Sequence, residues 1–206
     1  MQVHSMLIAA AGVALLGSNA LAATVLFGDN FANGASARSE SGTTVTLAQA
    51  PEPVASGTTS LKLNYTGNFT QAGIEGGVGL IDTNEVLRFD AYRDAGSMTL
   101  TLRLGGGFTA LQLGNGAPGR EFVTVNGAPV PTNGNILPAD QWVDVVVDLR
   151  SITGQSVSAF TFFNGGGAGV DTLYLDNVRI EVIPEPASLG LAGLATIGLL
   201  PRRSRR

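Results

Sequence analysis

The sequence predicts an all-β chain folded as a two-sheet antiparallel sandwich, and three observations carry that expectation. Roughly ten short runs alternate apolar and polar residues at the period of two that a half-buried strand requires. Glycine, at 28 of 206 residues, punctuates those runs. Between the two ends of the chain, no stretch sustains the 3.6-residue period of an amphipathic helix.

Thr24 to Phe27 reads as a first strand, and Gly28 to Gly34 as a polar, turn-rich loop. Thr43 to Leu47 and Ser60 to Thr66 follow as strands, the second with Leu61, Leu63 and Tyr65 on one face and Lys62 and Asn64 on the other. Pro51, Glu52 and Pro53 mark a surface loop between them, and Gly73 to Gly79 is too rich in glycine to assign. In Val86 to Arg93, Leu87, Phe89 and Ala91 point inward and Arg88, Asp90 and Tyr92 outward. Met98 to Leu104 repeats the alternation after the turn residues Asp94 to Ser97, so these two runs are expected to be antiparallel neighbours. Phe122 to Val125 and Ala128 to Val130 flank Asn126-Gly127, the dipeptide of a type I′ hairpin, and Pro129 and Pro131 make the return run either an edge strand or no strand at all. Trp142 to Leu149, Phe160 to Phe163 and Thr172 to Val182 complete the set.

The closing run contains a slip. Leu173 and Leu175 occupy one phase, while Val178, Ile180 and Val182 occupy the other. A one-residue shift would turn half of the strand inside out, so a bulge or a pinned polar group is required at Asp176-Asn177.

Composition narrows the chemistry. The formal charge is −4 and four of the twelve basic residues lie in the last five positions, so no basic nucleic-acid footprint covers the body. There is no cysteine, and the one histidine, His4, precedes an apolar N-terminal run. Thiol chemistry, histidine triads and histidine-ligated zinc are thereby removed from the body. Without disulfides, the fold must be held by packing or by a metal ion. Charged residues make up only 14% of the chain, which suits an extracellular β module better than a cytosolic enzyme.

The two ends read as addresses. Met6 to Leu21 is apolar and ends in Ala20-Leu21-Ala22, small residues that fit cleavage before Ala23, although residues 1–5 carry no lysine or arginine. At the other end, Pro184-Glu185-Pro186 is a stiff break, Ala187 to Leu200 is uncharged, and Arg202, Arg203, Arg205 and Arg206 close the chain. An apolar segment followed by arginines orients a helix with its C-terminal end on the cytoplasmic side. The expected organisation is a signal peptide over 1–22, a β-sandwich over 23–182, and a membrane-directed tail over 183–206. A plain C-terminal anchor is the alternative for the tail, though it is short for the ~20 apolar residues of a span.

This order of Pro-Glu-Pro, apolar helix and arginine cluster resembles the PEP-CTERM sorting signal of Gram-negative envelope proteins. The resemblance implies recognition by a membrane-embedded exosortase, transient anchoring in the inner membrane, removal of the helix, and delivery to the cell surface or the extracellular polymer matrix. In the body, Trp142 to Leu149, Phe160 to Phe163 and Leu173 to Ile180 resemble the closing strands of jelly-roll domains of the galactose-binding-like and carbohydrate-binding-module group. That likeness implies a jelly roll. It also implies a structural Ca²⁺ ligated by Asp176, with Asp29 the nearest plausible carboxylate partner, whereas the residues alone allow Asp176 to accept backbone hydrogen bonds at a bulge.

Two aromatic residues are candidate ligand contacts. Tyr92 is outward by alternation, while Trp142, at the start of a valine-rich strand, fits packing at the sandwich rim or a sugar platform. A glycoside hydrolase would need two facing carboxylates. Glu75, Asp90, Asp144 and Asp148 are available, but nothing in the sequence pairs them, so an enzyme is not expected. The function expected first is that of an exported structural or adhesive protein held among extracellular polysaccharide. The alternative is a carbohydrate-binding module with a defined glycan site.

Overall fold

A computed structural model of the chain describes residues 23–67, 69–94, 100–104, 122–130, 137–164 and 171–183. The expected signal peptide and the Pro-Glu-Pro tail lie outside the described residues, apart from Ala23 and Ile183. Among the described residues, no helix is long and apolar enough to cross a membrane.

The architecture is two antiparallel sheets. Twelve strands run in chain order: β1 (Thr24–Phe27), β2 (Ser36–Ser39), β3 (Thr43–Ala48), β4 (Ser60–Tyr65), β5 (Gln71–Glu75), β6 (Glu85–Arg93), β7 (Leu100–Leu104), β8 (Val123–Val125), β9 (Ala128–Pro129), β10 (Trp142–Asp148), β11 (Ala159–Asn164) and β12 (Asp171–Val182). A 3₁₀ turn, Arg150–Ile152, follows β10. The large sheet is ordered β3-β4-β12-β6-β10-β8-β9, with β1 also paired to β12. The small sheet is ordered β2-β5-β11-β7.

The core lies between the sheets and is built from the inward phase of each strand. Leu61, Leu63 and Tyr65, Leu87, Phe89 and Ala91, and Val143, Val145 and Val147 meet Ala72 and Ile74 of β5 and Phe160 and Phe162 of β11. The Phe89 and Phe162 rings meet edge to face across the interlayer space, with centroids 5.5 Å apart. Beside them the buried Tyr65 hydroxyl donates to the Phe162 carbonyl at 2.8 Å, so its polar end is satisfied inside the apolar layer.

One expected pairing is corrected. β6 and β7 are not neighbours: β6 lies between β12 and β10 in the large sheet, whereas β7 pairs with β11 in the small one. Alternation shows that both runs are half-buried strands, but it is the same for a hairpin and for a crossover between layers. The Asn126-Gly127 hairpin does form between β8 and β9, with φ values of 50° and 75° at the two turn residues. Its Pro129 strand ends the sheet. β2 and β5 were not legible in the sequence. β5 carries Gly73 where the backbone of β11 comes close, and a Cβ there would sit 2.2 Å from the Phe160 carbonyl oxygen and 2.8 Å from the Thr161 Cα.

Gly73→Ala is therefore expected to force β5 and β11 apart and to lower stability by about 1–3 kcal/mol, the usual cost of overpacking. Urea unfolding measures it, and a variant as stable as the parent would show that the two strands have room to give.

Candidate functional site

The phase slip in β12 is a real bulge. Register against β6 shifts between Asp176 and Arg179, and Asn177 has a φ of 51°. On its other edge, β12 pairs with β4 up to Leu175 and with β1 from Val178 onward. The bulge falls at this handover, and it lets Leu173, Leu175, Val178 and Ile180 all enter the core.

Asp176 sits in the gap, 1% exposed. Its Oδ2 accepts the amides of Ala55 and Ser56 at 3.1 and 2.9 Å, and its Oδ1 accepts the amide of Asn177 at 2.7 Å. Burial pushes its pKa up, partly offset by these amides, and Asp90 alongside pushes it further up. The same loop is gripped again by the exposed Asp29, whose Oδ1 accepts the amides of Thr58 and Thr59. Those donors hold its carboxyl below the ordinary range. Gly57 lies between the two grips at a φ of 67°, where a Cβ would strike the Asp29 carboxylate at 2.4 Å. Asp176 and Asp29 thus strap the β3-β4 loop across the outer face of the large sheet. Their engaged oxygens face N–H donors, which a cation would have to displace. Among the described residues, no three His, Cys, Asp or Glu side chains gather as a metal site. The residues present fit a loop clamp better than a calcium cage.

Next to the clamp lies a row of aromatic rings. Cross-strand register aligns Trp142 of β10 with Tyr92 of β6, Tyr92 with Tyr174 of β12, and Tyr174 with Lys62 of β4. All four belong to the phase that faces away from the core. Ring centroids are 5.7 Å apart for Trp142 and Tyr92, and 5.8 Å for Tyr92 and Tyr174. Trp142 and Tyr92 are half-buried and open to solvent on this face, whereas Tyr174 is 4% exposed. Lys62 explains part of that cover: its ammonium lies 5.7 Å from the Tyr174 ring centroid and is ion-paired to Glu52 of the strapped loop. Trp142 and Tyr92, read separately in the sequence, are therefore brought together. Tyr174, Lys62 and Glu52 were missed, although the outward phase of Tyr174 between Leu173 and Leu175 carried a signal.

The four carboxylates weighed for hydrolysis do not gather in one place; Asp90 and Asp144 are cross-strand neighbours, but each has another partner. Glu75 lies in the small sheet beside Arg38 at 3.7 Å. Asp144 is held by Arg88 through contacts of 2.7 and 3.2 Å, and Asp148 by Arg150. Asp90 accepts from the Asn177 side-chain amide at 2.7 Å.

Comparison with known proteins adds a fold likeness. No family model matches the chain. Over 75 residues it is 35% identical to the pre-pro-metalloprotease PrtV of Vibrio cholerae serotype O1, in two strains; the match covers 29% of this chain and 8% of the protease. The chain therefore spans a small part of the curated relative it matches. Among solved structures, it is similar to the family 30 carbohydrate-binding module of a cellulosomal cellulase of Clostridium thermocellum, with a TM-score of 0.52 at 15% identity, covering 80% of this chain and 100% of that one. It is also similar to two variants of a family 29 carbohydrate-binding module, each with a TM-score of 0.50. These are 15% and 14% identical and cover 80% and 84% of this chain and 99% and 97% of theirs. At such identities the likeness is one of fold.

The two grips on the loop should titrate in opposite directions from an ordinary aspartate. Asp29, lowered on folding, contributes stability above its unfolded pKa that is lost as pH falls through its depressed value. Asp176, raised on folding, favours the folded state more when protonated, so its contribution grows as pH falls through its raised value. In an NMR pH titration the Ala55 and Ser56 amides are expected to inflect at higher pH than those of Thr58 and Thr59. The reverse order would contradict the burial of Asp176.

Proposed function

We propose that the body of this chain is a carbohydrate-binding module and that its glycan site is the open end of the aromatic row, Trp142 and Tyr92, on the outer face of the large sheet. The observation that carries the reading is the in-register alignment of Trp142, Tyr92 and Tyr174 across three strands of the face that does not form the core. A soluble sandwich gains nothing from leaving adjacent aromatic rings half-open on its outer face, whereas the apolar face of a pyranose stacks on such rings. Polar groups line the strip on either side, with Asp90, Asn177 and Ser56 in one direction and Asn64 and Asp94 in the other, within reach of sugar hydroxyls. The fold likeness to two families of carbohydrate-binding modules supports the same reading. It moves ahead of a purely structural or adhesive role, since binding a glycan is itself what holding a protein among extracellular polysaccharide requires. Glu75, Asp144 and Asp148 are each ion-paired and Asp90 accepts from Asn177, which argues against a hydrolase.

Trp142→Ala and Tyr92→Ala are each expected to weaken glycan binding by roughly tenfold or more, the size of losing one stacked aromatic. Affinity electrophoresis through gels containing soluble β-glucans measures it, with Arg150→Ala as a control away from the row. Unchanged retardation of both aromatic variants, with the parent retarded, would move the site elsewhere.

Delivery rests on the two ends of the sequence. In this reading residues 1–22 direct export. The Pro184-Glu185-Pro186 tail is then cut by an exosortase, leaving Arg202, Arg203, Arg205 and Arg206 on the cytoplasmic side while the sandwich goes to the surface or matrix. The released form is expected to have an intact mass that lacks both ends. A released protein that retained Arg206 would overturn sorting by cleavage.

A further inference from the structure

The aromatic row has a second cross-strand row on one side and two aspartates just beyond the strand ends on the other. On one side, Asp176, Asp90 and Asp144 lie in register on β12, β6 and β10. On the other side, Asp94 follows Tyr92 by two residues and its amide donates to the Thr172 carbonyl at 3.1 Å. Asp140 precedes Trp142 by two residues, and its amide donates to the Arg93 carbonyl at 2.8 Å. The open rings therefore run between carboxylates on both long edges.

Among the described residues, the cations on the outward phase of this face are already committed. Arg88 bridges Asp144 and Glu181, Arg179 pairs with Glu181, and Lys62 pairs with Glu52. Asp176 directs its oxygens at two loop amides and at the amide of Asn177. Among the described residues, Asp90, Asp94 and Asp140 take part in no ion pair. Their field reaches the rings: the Tyr92 phenol is held above its ordinary pKa by desolvation first, and then by Asp140 and Asp94.

We propose, on the footing that the row is a glycan site, that its ligand is a β-1,4-linked glycan bearing free amines, a 2-amino-2-deoxyglucan. In a β-1,4 chain successive pyranoses are turned over, so the 2-substituents project alternately to the two edges of the polymer. A site with carboxylates on both edges meets each ammonium in turn, while a neutral glucan leaves those carboxylates unmatched and a polyuronate is repelled by them. Ammonium groups also sit favourably beside the faces of Trp142 and Tyr92.

Calorimetric titration of the protein with three β-1,4 hexamers tests this: glucosamine, glucose and mannuronate, at about pH 5.5, where aspartates are ionised. The glucosamine hexamer is expected to bind about fivefold tighter than the glucose hexamer, as a few solvent-exposed ion pairs would give, with the mannuronate hexamer weakest. The advantage should vanish at roughly 0.5 M salt, where screening acts within about 4 Å. It should also vanish in the Asp90→Asn, Asp94→Asn, Asp140→Asn triple variant, with circular dichroism verifying its fold. Equal affinity for the glucosamine and glucose hexamers, or an advantage that survives the triple variant, would overturn the charge selection. If Trp142→Ala still abolished binding in that case, the aromatic site would stand without it. Failure of all three hexamers to bind would remove both readings.

Discussion

The outer face of the sandwich depends on one buried carboxylate. Asp176 occupies the only kind of place where a strand can hold a charge at 1% exposure: a bulge, where the ladder is interrupted and amides are available to replace water. Three backbone N–H groups converge on it, two of them from a loop some 120 residues earlier in the chain. Removing the carboxylate would take the acceptor from those amides, whereas Asp176 left without the loop would lose two of its three donors. Loop and bulge therefore form together. Because β12 is the strand shared by β4, β1 and β6, fixing its handover also fixes the register of the large sheet.

That register makes the site. Period-two alternation dictates that whatever does not face the core faces outward, but not which outward residues meet across strands. Alignment of Trp142, Tyr92, Tyr174 and Lys62 follows from pairing β10 with β6, β6 with β12, and β12 with β4. Moving any one of these pairings by two residues would keep the core phase intact and still scatter the rings. The inner face is thus specified by hydrophobicity, whereas the outer row depends on exact neighbours, and the clamp at Asp176 is one of the few features that set them.

The sequence was legible wherever the deciding interactions were local. Alternation located most strands, Asn126-Gly127 located a hairpin, and the phase change at Asp176-Asn177 located the bulge, because each rests on residues close in the chain. It failed where the partner was distant. The runs ending at Arg93 and beginning near Leu100 looked like a hairpin, yet they belong to different sheets, and no short-range pattern records which layer a strand joins. Gly73 hid β5, because the residue that allows close approach to β11 is the one that weakens its strand pattern. Trp142 read better as rim packing than as a platform, because its neighbour Tyr92, fifty residues earlier and directly across the ladder, is not legible from local pattern.

The strapped loop also gives the row a direction. Glu52 reaches from the loop to Lys62, and Lys62 lies over Tyr174, so the third ring is covered while the first two are open. A loop of this length left free would sample many conformations and cover nothing in particular. Held at Ala55 and Ser56 by Asp176 and at Thr58 and Thr59 by Asp29, it has little freedom left. The carboxylate that solves a packing problem in the middle of β12 thereby also sets where the open part of the aromatic row stops.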